Sequence, residues 1–328
     1  MTWMKSSAVA WLVVALLPAA CVGRVAPTVP AGAPSVDVAQ LWEDPADLET
    51  RDLFYGPGEE ARAPAAGSTF TFVKTDAGGY SPGYDVRSAD GTEWSVKLGS
   101  EAQTEVAVSR ILWAVGFHQV PTYYLATWTM TEGPEGAPGP ARFRPEVPNR
   151  KVVGDWSWYE NDFLQTQPFK GLVVINVLLN NWDWKTSNNR IYEVERGEDI
   201  PPVREFVVRD LGASLGKTSY PKLLAWLPMR GLGQGSRNAL EDFEKQGFIK
   251  RVDGDTVEFF YRGIHHSLIE TVDRADVVWA AKLLSRLSDE QWDAAFRAAG
   301  YAEEQSRRYV AKIKSKVAEG LKHAGPEA

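Results

Sequence analysis

The residues with the greatest capacity for chemistry lie between Asn180 and Gly216. They are Asn180-Asn181-Trp182-Asp183-Trp184-Lys185-Thr186-Ser187-Asn188-Asn189 and, after a polar interval, Val207-Val208-Arg209-Asp210-Leu211-Gly212. An aspartate followed five residues later by an asparagine, and then by an apolar strand ending in Asp-x-Gly, meets the requirements of phosphoryl transfer. Asp183 can orient a hydroxyl nucleophile, while Asn188 and Asp210 can offer oxygens to Mg2+ or Mn2+ ions that bridge nucleotide phosphates.

A second group of polar residues precedes this stretch. Lys97 closes a strand, and Glu105 follows on the first turns of a helix whose apolar positions Val106, Ile111, Leu112 and Val115 are spaced for one buried stripe. Paired, the two would hold an ammonium in reach of nucleotide phosphates. The plainer reading is an edge-strand lysine and a surface glutamate. Gly78, Gly79 and Gly83 lie in a loop that could fold over phosphates, because glycine lets backbone N–H groups approach an anion. Glycine-rich hairpin turns without any ligand have the same composition.

The elements that must position these residues can be read from the pattern. Thr69 to Lys74, Tyr84 to Val86 and Trp94 to Leu98 alternate as strands, with an Asp90-Gly91 hairpin turn between the last two. The helix carrying Glu105 ends at Gly116, and Thr122 to Thr129 reads as a further strand. A helix from about Lys170 to Asn180, apolar on most sides, delivers Asp183 to a loop at its C-terminal end. The segments Arg190 to Val194 and Glu205 to Val208 read as a hairpin that returns Asp210 to the side of Asn188. The last third is helical, with Ser288 as an N-cap and Gln291 at its third helical position. His265-His266 lacks the Cys or carboxylate company of a metal site, and Trp279 and Trp292 sit at helical spacing suited to a core.

Composition bounds the function classes. With 328 residues, 44% of them hydrophobic, the chain can bury one large core or two packed lobes. A formal net charge of -7 argues against nucleic acid as a partner, since phosphate-tracking proteins are usually basic. Lys5, an apolar run from Ala8 to Leu17 and Pro18-Ala19-Ala20-Cys21 describe an export signal over residues 1–20. The lone Cys21 after Ala-Ala resembles a bacterial lipobox, which implies acylation at Cys21 and a membrane-anchored lipoprotein on the periplasmic or cell-surface side. The alternative is an ordinary cleaved signal. Residues 21–66 are expected to be the lipidated cysteine and a flexible tether, Pro-, Ala- and Gly-rich over 22–38, with a short helical candidate from Leu41 to Leu53.

Together these residues resemble the protein-kinase-like superfamily in its atypical branches, the HipA-type bacterial kinases and the secretory-pathway kinases of the Golgi lumen. Residues 68–216 carry the resemblance. It implies a bilobal α+β fold, with a small antiparallel β-rich N-lobe plus one helix over 67–130, an interlobe connection over 131–155, and a larger, mainly helical C-lobe over 156–328. It also implies that Lys97 contacts phosphate with Glu105 as its partner, that Asp183 is the catalytic-loop aspartate, and that Asn188 and Asp210 bind metal, with ATP as donor and a hydroxyl group of a protein or glycan as acceptor. Asn181-Trp182 stands where the family has His-Arg, and no Ala-Pro-Glu follows Asp210. Two other readings stay open: a non-catalytic lipoprotein binding a nucleotide, a glycan or a protein partner, and a loop in which Asp183 and Asn188 are only cap and turn residues.

Overall fold

The computed structural model describes residues 36–76, 78, 81–134, 138–219 and 235–324. The export signal, Cys21, most of the 22–38 tether and Gly79 lie outside the described residues.

Alternating apolar residues build a six-stranded sheet. Its strands are β1 (Thr69–Asp76), β2 (Gly83–Arg87), β3 (Glu93–Leu98), β4 (Tyr123–Leu125), β5 (Thr129–Thr131) and β6 (Ala141–Pro145), in the order β4-β6-β3-β2-β1-β5. All neighbours are antiparallel except β1 and β5. Phe70, Val86, Trp94, Val96 and Phe143 form the buried core of this lobe. Helix α1 (Glu101–Ala114) follows β3 and lies between this lobe and the rest of the molecule.

A three-stranded sheet, β7 (Arg150–Gly154), β8 (Asn189–Val194) and β9 (Val203–Val208), begins the second lobe. The expected hairpin is β8–β9, with Asn189 opposite Val208 and Val194 opposite Val203. Helix α2 (Gln167–Leu178) starts at Thr166, whose hydroxyl accepts the Phe169 N–H at 3.4 Å. The remaining elements are α3 (Leu240–Lys245), the hairpin β10 (Ile249–Asp253) and β11 (Thr256–Phe259), α4 (His266–Ile269), α5 (Arg274–Ser285), α6 (Asp289–Ala298) and α7 (Glu303–Leu321). The Ser288–Gln291 capping box at the start of α6 is formed in both directions. This is the bilobal α+β plan expected from the sequence.

Five expectations about elements and boundaries are corrected. Residues 131–155 are not a bare connection: β6 lies inside the first sheet, paired on both sides by β3 and β4, and β7 belongs to the second. The strand expected over residues 122–129 ends at Leu125, and a separate strand begins at Thr129. Residues 36–66 are not a free tether, because Leu41, Leu48 and Leu53 are each at most 1% exposed and join the main core. The helical candidate over 41–53 forms only a short 3-10 turn at Leu48–Thr50, after another at Val38–Gln40. This segment is fixed from both sides, by Trp42 Nε1 donating to the Val115 carbonyl at 2.7 Å and Gln291 Nε2 donating to the Leu48 carbonyl at 2.7 Å. Finally, α1 has more than one buried stripe. Twelve of its fourteen residues are buried, because the sheet, α6 and the 36–58 segment enclose it.

Helix α2 crosses α5 closely enough that a Cβ at Gly171 would stand 2.1 Å from a ring carbon of Trp279. Trp279 in turn packs edge-on against Trp42 at 5.2 Å, so it has little room to yield. Gly171→Ala should therefore destabilise by about 1–3 kcal/mol through overpacking, even though alanine is favoured in a helix by about 1 kcal/mol. Urea unfolding of the two proteins measures the sign directly.

Candidate active site

Lys97 sits on β3 with its side chain between the lobes. Its Nζ is 3.1 Å from Glu105 Oε2, 3.0 Å from Asp210 Oδ1 and 3.6 Å from Glu101 Oε2. The geometry chooses the paired reading of Lys97 and Glu105 over the plainer one, since Glu105 is 1% exposed. Two arginines that the sequence reading missed complete the cluster. Arg142 Nε lies 3.0 Å from Glu105 Oε1, and the Arg144 guanidinium bonds the same oxygen. Arg144 Nη2 also donates to the Arg209 carbonyl at 3.1 Å, tying β6 to the residue before Asp210.

The cluster is charged on both sides. Burial opposes ionisation of Glu105, but Arg142, Lys97 and Arg144 outweigh it and hold the carboxyl well below its usual range. Burial likewise works against the Lys97 ammonium, and Glu105 and Asp210 overcome it, raising the lysine above its ordinary value. Arg144 is lowered to about 9, by burial first and then by Arg142 and Arg209, and so keeps its charge at neutral pH. A pattern for the arginines was present in Ala141-Arg142-Phe143-Arg144-Pro145: residues two apart share one face of a strand. The surrounding Gly and Pro concealed the strand itself.

The loop after α2 is built from its own amides. Asn180 adopts a left-handed conformation at φ 56°, a common way to end a helix when the side chain can hydrogen-bond locally. Its Nδ2 donates to the Gly216 carbonyl at 2.6 Å, and its Oδ1 accepts from the fully buried Lys316 of α7 at 2.9 Å. Lys316 also donates to the Leu178 carbonyl at 2.7 Å, at the end of α2 where carbonyls lack partners. Asn181 donates to Asn176 and its Oδ1 accepts the Asp183 N–H at 3.2 Å. Asn188 Nδ2 donates to the Asp183 carbonyl at 2.8 Å, closing the loop across five residues. The Asn188 carbonyl takes the N–H groups of Arg209 and Asp210 at 2.9 and 3.2 Å, which sets Asp210 beside Asn188.

The structure thus brings together Lys97, Glu105 and Asp210 in one cluster, and Asp183, Asn188 and Asp210 along one loop edge. Lys185, also unassigned from sequence, donates to Asp183 Oδ2 at 2.8 Å. Gly83 is the first residue of β2 and not part of a loop; it faces Lys97 in the β2–β3 ladder, where a Cβ would stand 2.8 Å from the Val96 carbonyl. Gly78 is exposed and donates its N–H to Asp76 Oδ1 at 2.9 Å. Next to the cluster a cavity of about 1030 Å³ opens between the two sheets, walled by Ser95, Arg144, Glu146, Val147, Tyr192 and Arg209.

The chemistry of the remaining donors fits a divalent ion only in part. With Nδ2 engaged, Asn188 keeps Oδ1 as an acceptor, and Asp210 keeps Oδ2, its Oδ1 taking Lys97 and, at 3.4 Å, the Gly212 N–H. Two such oxygens suit an ion that draws its other ligands from phosphates and water. Among the described residues no group of three or more His, Cys, Asp or Glu could hold a metal by itself, His265-His266 included.

No protein-family model matches the chain, and no curated protein does. Among solved structures it is similar to the Helicobacter pylori proinflammatory kinase CtkA, at 10% identity over 78% of this chain and 97% of that one, with a TM-score of 0.46.

Two outcomes follow from the buried charges. Glu105→Gln keeps the shape but removes the only carboxylate among the described residues that pairs with buried Arg142 and Arg144, leaving them uncharged partners while Lys97 keeps Asp210, and should cost on the order of 3–5 kcal/mol in denaturant unfolding. His265 is lowered to about 4, chiefly by burial, against raising contributions from Asp183 and a hydrogen bond with the Trp182 backbone. A histidine lowered in the fold binds protons more readily when unfolded, so its contribution is intact above its ordinary value of 6.5 and is lost as pH falls toward 4. His118, also lowered by burial, acts in the same direction. Between pH 7.5 and pH 5 the stability should fall by about 2 kcal/mol for His265 alone. Urea unfolding at the two pH values measures the loss, and His265→Gln should remove that part of it.

Proposed function

We propose that this chain is a kinase-like phosphotransferase that moves the γ-phosphoryl group of a nucleotide, ATP in the first instance, to a hydroxyl acceptor on a protein or glycan. The observation that carries the reading is the convergence of Lys97, held by buried Glu105, with Asp210, and of Asp210 with Asn188 and Asp183 on one loop edge. A cavity of nucleotide-binding size lies nearby, walled in part by Arg144, which bonds Glu105, and by Arg209, which precedes Asp210.

In this reading Asp183 orients the acceptor hydroxyl and takes its proton as the oxygen bonds to the γ-phosphorus and the bond to the bridging oxygen breaks, leaving the nucleoside diphosphate. Lys97 neutralises phosphate charge, and Lys185, on the carboxylate of Asp183, adds a second cation at the reacting end. Asn188 Oδ1 and Asp210 Oδ2 would hold Mg2+ or Mn2+, which when bound screens the phosphate oxygens. Catalysis is then largely positioning and electrostatic preorganisation. Export and anchoring through a lipid on Cys21 belong to the same proposal and are supported by the sequence of residues 1–21.

The test is transfer of labelled γ-phosphate by the chain beginning after Cys21, with Mg2+ or Mn2+. Wild type should label itself or a generic acceptor, and Asp183→Ala and Asp210→Ala should each lose about 100-fold or more in rate. Undiminished transfer by Asp183→Ala would sink the assignment. Nucleotide-dependent stabilisation without any transfer would favour the non-catalytic binding protein.

A further inference from the structure

We infer that His265 is a positioning residue for Asp183, holding the loop from a segment remote in sequence. The inference rests on the reading of Asp183 given above. His265 is 6% exposed and precedes the short helix α4. Its ring stacks on the indole of Trp184, with centroids 5.1 Å apart and planes 13° from parallel. The Trp182 backbone also lies near enough to raise the proton affinity of the ring. Both chain neighbours of Asp183 are therefore in contact with one imidazole.

That ring is itself fixed. Its Nδ1 lies 2.8 Å from the hydroxyl of Tyr159, which leaves Nε2 as the ring's other polar atom. A neutral ring protonated at Nε2 accepts the Tyr159 O–H at Nδ1 and keeps an N–H to offer the Trp182 backbone. Trp184 is held on its other edge by its Nε1 bond to the Asn181 carbonyl at 3.0 Å, and Tyr261 lies against it at 5.8 Å. The groups facing the imidazole are thus Tyr159, Trp182, Trp184 and, through space, Asp183 and His266. None of them is a buried acid partner or metal ligand for His265. The ring's polar contacts both serve the segment that carries Asp183 or the tyrosine that orients the ring.

The arrangement explains how residues 181–184 keep one conformation although the residues directly before Asp183 are Asn181 and Trp182. Asn181 orients the Asp183 amide from within the loop, and His265 supports it from behind. A role in positioning predicts a loss in turnover with little change in nucleotide binding, since Lys97 and Asp210 are held by Glu105 and not by this loop.

The test reads both the loop and the chemistry. In hydrogen–deuterium exchange, His265→Ala should raise amide exchange across residues 181–188 by about 10-fold or more while the thermal transition stays cooperative. In phosphoryl transfer its kcat should fall about 10-fold or more, with the KM for nucleotide changed less than about 2-fold. His265→Gln, which keeps a donor for the Trp182 carbonyl, should recover part of both. If His265→Ala does not fold, Tyr159→Phe removes the hydroxyl that orients the ring and should move the same two readouts in the same direction. Unchanged exchange over 181–188 overturns the inference, and so does faster exchange with wild-type kcat. Absence of transfer by wild type would defeat the proposed function, whereas the exchange measurement would still decide whether His265 holds the loop.

Discussion

The structure depends on one carboxylate. Glu105 is buried where β3, β6 and α1 meet, and its charge is matched by Lys97, Arg142 and Arg144. Each cation leads elsewhere: Lys97 to Asp210, Arg142 Nη1 to the Ser95 carbonyl at 2.9 Å, and Arg144 to the Arg209 carbonyl. A buried charge without partners is very costly, so this set forms together or not at all. That requirement brings the first sheet, its helix and the Asp-Leu-Gly segment into one geometry.

Helix α1 is what gives the carboxylate its fixed place. In addition to the sheet, it meets α6, the turn after it and residues 36–58. Gln103 Nε2 donates to the Gly300 carbonyl at 3.0 Å, Thr104 lies 3.3 Å from the Tyr301 hydroxyl, and Glu101 pairs with Arg237. Swinging this helix away would expose Val106, Ile111 and Leu112, each buried to within 1%, at a cost of about 1.5–3 kcal/mol apiece. The Lys97–Glu105 pair is accordingly a standing feature of the fold.

The loop carrying Asp183 follows a different logic. It is supported from below by Lys316 on the last helix, from behind by His265 and Trp184, and along its edge by Asn188. Amide side chains suit this work because each offers a donor and an acceptor to neighbouring backbone groups without adding charge. The carboxylates of Asp183 and Asp210 remain at least partly exposed, with side chains 19% and 37% accessible, while Glu105, Asn181, His265 and Lys316 behind them are buried.

Several elements were legible in the sequence because they follow from local pattern: period-two alternation in β1 to β3 and β8 to β9, the apolar run of α2, and the capping box of α6. So was the chemical character of Asp183, Asn188, Asp210, Lys97 and Glu105, which depends on residue type and on the element that carries each. What only the tertiary structure decided was who surrounds them. Arg142 and Arg144 sit in a short strand whose Gly- and Pro-rich flanks look like a loop until β3 and β4 pair with it. Lys316 and His265 reach the Asp183 loop from distant helices and turns, and residues 36–58 look like a linker until α1 presents a surface to cover. Local sequence sets backbone periodicity and side-chain chemistry over a few residues. Burial and charge pairing are set by segments that meet only when the chain has folded.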